Sequence, residues 1–311
     1  MKAVRIHDYG NASVLAYEDA PMPGITSNEV LIRVVAASVN PVDWKIREGY
    51  LRQMISYSLP LTLGWDVSGV VEAVGTDVSR FRVGDAVFSR PNIERNGTYA
   101  EYVAVREDEI AHKPKTLSHV EAASLPLAGI TAWEALLTSA QLTAGQKVLI
   151  HAGSGGVGSL AIQLAKSRGA YVIATTSGKN RTLVESLGAD EVIDYQTQRF
   201  AEVVKDLDVV FDTLGGEVQE TSWSVLKPDG VLVSIISPLP DEKTKALGVR
   251  GAFVFIEPNA QILAELARLV DAGQIRPIIG AEFALRDIEK AHALSQSGHA
   301  AGKIALYVGQ P

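Results

Sequence analysis

The sequence contains no cysteine. Disulfides, thiol nucleophiles, Cys-ligated zinc and Cys-held iron–sulfur clusters are therefore excluded, and redox chemistry would require a borrowed cofactor. Positive charge is not in excess either: 29 Lys and Arg stand against 36 Asp and Glu, for a net charge of −7. No global field gathers nucleic acid or an anionic membrane. Asp and Glu interrupt every apolar stretch before it could span a bilayer, and residues 1–6 (MKAVRI) lack the charged-then-apolar layout of a secretory leader. The expectation is a cytoplasmic protein. Internal repeats, low-complexity tracts and flexible linkers are also missing.

The 311 residues, 47% hydrophobic and 21% charged, have ordinary globular usage and suggest two domains. In the first third, residues 29–37 (EVLIRVVAA), 69–73 (GVVEA) and 99–105 (YAEYVAV) are β-branched and half alternating, with turn signals at Gly75, Gly84-Asp85 and Asn96-Gly97. From Gly145 the texture changes to short apolar runs at 147–151, 171–175, 191–194, 208–212 and 231–234. Helical stretches such as 157–168 and 216–226 lie between them, so the pattern predicts βα units in a parallel, doubly wound sheet. Helices are also predicted over 259–272 and 285–297, and a strand over 303–308.

The sharpest local signal is residues 149–165 (LIHAGSGGVGSLAIQLA). Gly153, Gly155 and Gly158 fit G-x-G-x-x-G, interleaved with Ser154, Gly156 and Val157, with an apolar strand before and an amphipathic helix after. Glycine there permits a tight turn, close approach of backbone N–H groups to a pyrophosphate, and close helix–strand packing. Dinucleotide binding is the expected role. An NAD site usually carries Asp or Glu at the end of the second strand, about 20 residues on. Here stand Thr175, Thr176, Ser177, Gly178, Lys179, Asn180 and Arg181. Hydroxyls with Lys179 and Arg181 can donate to a 2′-phosphate that a carboxylate would repel, so NADPH is the preferred cofactor. The plainer reading of Lys179 and Arg181 is a solvated first helical turn.

Beyond this loop, residues 1–4, 39–49 (VNPVDWKIREG), 64–75 (GWDVSGVVEAVG), 82–88 (RVGDAVF), 97–102 (GTYAEY), 128–133 (AGITAW), 187–190 (LGAD), 271–277 (DAGQIRP) and 297–304 (SGHAAGKI) form a set running nearly end to end. In this set the chain resembles the medium-chain dehydrogenase/reductase superfamily, specifically its zinc-free, zeta-crystallin-like NADPH:quinone oxidoreductase branch. The resemblance implies a mainly β, GroES-like catalytic domain over 1–118, a Rossmann NADPH-binding domain over 119–260, and a return to the catalytic domain over 261–311. Alcohol-dehydrogenase relatives place zinc ligands near Asn40, within the motif of Gly64-Trp65-Asp66, and near Ala128; none of these positions holds a zinc ligand here. No pair of the six histidines has i, i+4 spacing, and His151 could touch cofactor or be partly buried at a strand end.

The resemblance further implies that the nicotinamide lies in a cleft between the domains. Thr131, Asp212, Ser234 and Phe255 would flank it, and Tyr195 would join Ser177, Lys179 and Arg181 around the 2′-phosphate. Asn40, Asp43, Trp44 and Lys45 would line the catalytic side, with Tyr50, Tyr57 and Trp65 nearby. Without zinc to polarise a simple carbonyl, the acceptor should be electron-poor: a quinone or an α,β-unsaturated carbonyl. Asn40, Lys45 or Tyr50 could stabilise the resulting enolate, although Lys45 also reads as a surface lysine and Asp43 as a loop-holding residue. Trp44, Tyr57 and Trp65 read equally as core or substrate platform. The expected function is metal-free hydride transfer from NADPH to such acceptors. The alternatives are an alkenal/alkenone double-bond reductase or a non-catalytic NADPH-binding protein, and a homodimer is left open.

Overall fold

Along the strand Glu29–Val39, Val30, Ile32 and Val34 are buried while Arg33 faces outward, the period of two that a sheet with one covered face demands. In the computed structural model, which describes residues 1–308, this strand is the hub of the first of two compact units. Val67–Val74 pairs antiparallel along one edge; Tyr102–Arg106 and Lys303–Tyr307 share the other. Ala86–Ser89 and Ile110–His112 extend the sheet on one side, and Ile279–Ala284 on the other. The register sets Ile304 opposite Val39 and Val67 opposite Ala37, so Lys303, Asn40 and Asp66 stand at neighbouring strand ends. A separate sheet places Lys2–Ile6 between Leu15–Asp19 and Leu61–Thr62. One core, including Ile6, Ile32, Trp65, Tyr99 and Ile110, fills this unit.

The first unit comprises Met1–Leu127, Glu257–Ala272 and the chain from Pro277 onward. Its first boundary thus falls later than the expected 118. Ser118 and Glu121 form a reciprocal capping box that starts the helix His119–Ala123. This helix buries Ala122 and Ala123 and packs against Glu29–Val39 and Val67–Val74, so it belongs with the β-rich unit. The returning segment begins at Glu257, before the expected 261. In it, Asn259 Oδ1 accepts from the N–H of Gln261 (3.1 Å) and Ile262 (3.0 Å), starting the helix Ala260–Asp271 with the expected stripe of Ile262, Leu263, Leu266, Leu269 and Val270 buried.

The second unit, Ala128–Ile256 with Gly273–Arg276, is a six-stranded parallel sheet. Its spatial order is Glu191–Asp194, Tyr171–Thr176, Lys147–Ile150, Leu207–Asp212, Leu226–Ser234 and Arg250–Phe253. In chain order within the unit this is 3-2-1-4-5-6, the doubly wound arrangement in which order reverses beside the first strand. Val148, Leu149 and Ile150 are fully buried there. The sixth strand escapes the sequence pattern because Arg250, Gly251 and Phe253 lie exposed at a sheet edge. Among the described residues, no helix is long and apolar enough to cross a membrane.

Candidate functional site

Between the strand Lys147–Ile150 and the helix Gly156–Ser167 the chain turns sharply, with Ala152 at φ 51°, a left-handed conformation unfavourable to a residue with a Cβ. A relay through buried His151 holds it there. Ser222 Oγ donates to Val218 O (2.7 Å) and so accepts from His151 Nε2 (2.9 Å). The other ring nitrogen, Nδ1, accepts from Thr175 Oγ1 (3.2 Å), which in turn accepts the Ala152 N–H (3.2 Å). Burial pushes the His151 pKa down to about 4, consistent with the neutral ring this relay needs. His151 is therefore an internal support of the loop.

Gly153 N–H donates to Thr175 O at 2.8 Å. A Cβ on Gly158 would lie 2.3 Å from Ala152 O, and one on Gly153 would lie 2.9 Å from Ala174 Cβ, so loop, helix and strand meet at a spacing that glycine permits. Gly155 caps the helix and its carbonyl accepts from Ser159 N (2.9 Å). The N–H groups of Gly156, Val157 and Gly158 then have no acceptor within their helix. At the start of a twelve-residue helix this is a cradle that fits a dinucleotide pyrophosphate.

At the end of the second strand, Thr176 and Ser177 occupy the place of an acid. Thr176 Oγ1 donates to Ser154 Oγ at 2.9 Å, and Asn180 Nδ2 reaches Ser154 Oγ (3.1 Å) and Ser177 Oγ (3.3 Å). The glycine loop and this turn are thereby joined. Lys179 and Tyr195 are exposed, and Arg181 pairs with Glu185 one turn on at 3.6 Å. The nearby carboxylate of Asp194 accepts from Gln196 N (3.0 Å) and lies so close beneath Gly178 that a Cβ there would meet it at 2.6 Å.

The four residues expected beside the nicotinamide differ in availability. Asp212 is fully buried: Oδ1 accepts from Leu214 N (3.0 Å) and Gly215 N (2.8 Å), and Oδ2 from Gln219 Nε2 (2.8 Å) and Ser234 Oγ (2.8 Å). Ser234 is equally enclosed, so both side chains shape the turn after the strand Leu207–Asp212 and present no free polar atom. Thr131 is buried in the helix Pro126–Trp133, whereas Phe255 is 43% exposed.

In the first unit, the neighbouring strand ends create a buried polar cluster. Lys303 Nζ donates to Val39 O (3.2 Å), Asp66 Oδ2 (3.1 Å) and Asn40 Oδ1, which satisfies all three ammonium hydrogens. Asp66 Oδ2 also accepts from Ser38 Oγ (2.7 Å) and Asn40 Nδ2 (2.7 Å), and Asp66 Oδ1 from Leu127 N (2.7 Å). Asn40 is 3% exposed; its Oδ1 accepts from Lys303 and one Nδ2 hydrogen goes to Asp66, so the side chain is a member of the cluster, with the second Nδ2 hydrogen left for the donor role expected of it. Beside it Asp43, fully buried, accepts from Tyr99 OH (2.6 Å) and Asn40 N (2.8 Å); burial raises its pKa to about 7. Sequence reading singled out neither Lys303, Asp66 nor Tyr99 as a cluster residue.

The helix Pro41–Arg47 leads outward from this cluster. Lys45 Nζ lies 5.8 Å from the Trp44 ring centroid, and Tyr50, 66% exposed, packs edge-on to Trp44 at 6.1 Å. Burial lowers the Lys45 pKa. The structure thus brings Lys45 and Tyr50 together around Trp44. Trp65 is core, and Tyr57 OH donates to Ile93 O (3.0 Å). The donors around Asn40 do not fit zinc, because an ammonium already sits between the amide and the carboxylate. Among the described residues, no three His, Asp or Glu are grouped to hold a metal.

Comparison with known proteins gives two family models: residues 26–115 match one described as alcohol dehydrogenase GroES-like domain, and residues 187–306 one described as zinc-binding dehydrogenase. The mitochondrial NAD(P)H oxidoreductase RTN4IP1 of Mus musculus is 37% identical, covering 99% of this chain and 89% of its own. The chloroplastic NADPH-dependent alkenal/one oxidoreductase of Arabidopsis thaliana is 36% identical, over 99% of this chain and 79% of its own. The solved structure of the quinone oxidoreductase from Coxiella burnetii superposes with a TM-score of 0.93 at 38% identity, covering 99% of both chains.

Replacing Lys303 tests the buried cluster. Lys303→Met leaves the Asp66 carboxylate buried without its counter-charge and should destabilise the protein by about 3 kcal/mol or more in urea unfolding. A loss below about 1 kcal/mol, the range of exposed pairs, would show that the ammonium does not anchor this region.

Proposed function

Because the chain belongs to the medium-chain dehydrogenase/reductase superfamily, in its quinone oxidoreductase-like branch, we propose that it is an NADPH-dependent reductase of quinones or other conjugated, electron-poor carbonyls that works without a metal. That it is an oxidoreductase using a nicotinamide cofactor follows from the branch and from the doubly wound unit. The choice of NADPH rests on one observation: the end of the second strand offers Thr176 and Ser177, joined to Ser154, where an acid would select NADH.

When bound, NADPH supplies the hydride. The chain's own groups do the rest. The N–H groups of Gly156, Val157 and Gly158 hold the pyrophosphate, and Ser177, Lys179, Arg181 and Tyr195 surround the 2′-phosphate. Thr131 and Phe255 flank the nicotinamide, with Asp212 and Ser234 fixing the backbone turn beside it. On the substrate side, half-buried Trp44 and exposed Tyr50, set edge to face, offer an apolar corner for a conjugated ring or enone. Lys45 is the proton donor to the developing oxyanion or enolate, its lowered pKa easing release of the proton.

The substrate class is read from the branch and from how little polarising power is on offer. An unactivated ketone needs its oxygen strongly polarised as the hydride arrives; Lys303 has all its hydrogens committed inside the fold, which leaves Lys45 alone for that task. A quinone or enone spreads the incoming charge over its own π-system, and positioning suffices. The alkenal/alkenone reading shares every one of these features and differs only in the acceptor, as the name of the Arabidopsis relative illustrates.

With protein dialysed against a chelator, NADPH oxidation should proceed with quinones or α,β-unsaturated carbonyls and be negligible with acetone, as should ethanol oxidation. Comparable turnover of simple alcohols, or activity restored only by added zinc, would overturn this reading; tight NADPH binding with no acceptor reduced would favour a non-catalytic role. Lys45→Met should lower kcat for an enone by about tenfold or more. In the wild type, kcat should fall as pH rises through the lowered Lys45 pKa, because the donor must be protonated, and this limb should vanish in the variant. An unchanged pH profile would remove Lys45 from the mechanism.

A further inference from the structure

We propose that Asn180 is a positioning residue that sets cofactor specificity by aiming the hydroxyl hydrogens of Ser154 and Ser177 at a phosphate monoester on the adenosine ribose. This deepens the NADPH reading above and rests on it. The argument is a count of hydrogens. Asn180 Nδ2 carries two, and its two acceptors are Ser154 Oγ (3.1 Å) and Ser177 Oγ (3.3 Å). Ser154 Oγ also accepts from Oγ1 of buried Thr176 (2.9 Å). With two lone pairs occupied, the bonding capacity remaining on Ser154 is its own hydrogen. Ser177 Oγ, having accepted from Asn180, likewise keeps a hydrogen to give.

The adenosine ribose of a doubly wound nucleotide fold lies at the end of the second strand, where these hydroxyls stand. A ribose 2′-hydroxyl meets the two serine hydrogens with a single oxygen, whereas a 2′-phosphate meets them with three. A 2′-phosphate only accepts, and each charge-assisted bond favours it. Lys179 and Arg181 add positive charge along the same turn, set against the Asp194 carboxylate, of which Oδ1 accepts from Gln196 N and Oδ2 lies beneath Gly178.

The test is Asn180→Asp, nearly isosteric but an acceptor. It should turn both serine hydrogens inward and place negative charge beside the phosphate. Fluorescence titration of wild type and variant with NADPH and with NADH reads the ratio of their dissociation constants. The expected result is NADPH weakened by about tenfold or more with NADH changed by less than about twofold. Asn180→Ala, which removes the donors without adding charge, should shift the ratio in the same direction by about threefold, and carries the test if the Asp variant does not fold. Parallel losses for both cofactors would reduce Asn180 to a structural residue and overturn the proposal. A wild-type ratio near one would sink the NADPH reading and this inference together; a strong wild-type preference left unchanged in both variants would sink this inference alone.

Discussion

The buried ion pair of Lys303 and Asp66 is the constraint on which the β-rich unit turns. It joins strand ends that are far apart in sequence, and it forms because the antiparallel register brings residues 40, 66 and 303 to one place. A charge enclosed in protein must be neutralised and hydrogen-bonded, and here the ammonium has three oxygen acceptors while the carboxylate has four donor groups. The pair orients Asn40, from which the helix Pro41–Arg47 starts. That helix carries Trp44 and Lys45 away from the buried cluster. The ammonium, with all three hydrogens committed to Val39, Asn40 and Asp66, has none left for a substrate.

The nucleotide-binding unit depends on a second, smaller constraint of the same kind. Ala152 takes a strained left-handed conformation because neutral His151, Thr175 and Ser222 hold its N–H, and Gly158 comes against its carbonyl because no side chain intervenes. The outcome is a row of helix N–H groups beside the point at which the strand order reverses. In both units, then, buried polar groups fix the backbone from which the residues of the candidate site project.

These dependencies explain what the sequence could reveal. The glycine loop, the missing acid after the second strand and the parallel strands at 147–151, 171–175 and 208–212 are local patterns whose physics is complete within a dozen residues, and each forms as expected. The Lys303–Asp66 pair is a product of register, which no local window contains, so the bonds that Asn40 makes to it are not legible in the sequence. The partners of Asp212 and Ser234, namely Gln219 and the N–H groups of Leu214 and Gly215, are likewise illegible in the sequence, because they come together only once the turn is built. Nothing in the sequence marks Asn180, because its link to Ser154 spans two strand ends. The strand Arg250–Phe253 gave no signal because an exposed edge needs no apolar run.

The central claim is that this chain transfers hydride directly to a conjugated acceptor with no metal taking part. NADPH carrying deuterium at the transferable position of nicotinamide C4 tests it most directly, with an α,β-unsaturated ketone as acceptor and protein freed of metal by chelation. The account predicts a saturated ketone product with one deuterium on the former β-carbon. A product without that label, or one formed only after zinc is restored, would contradict it.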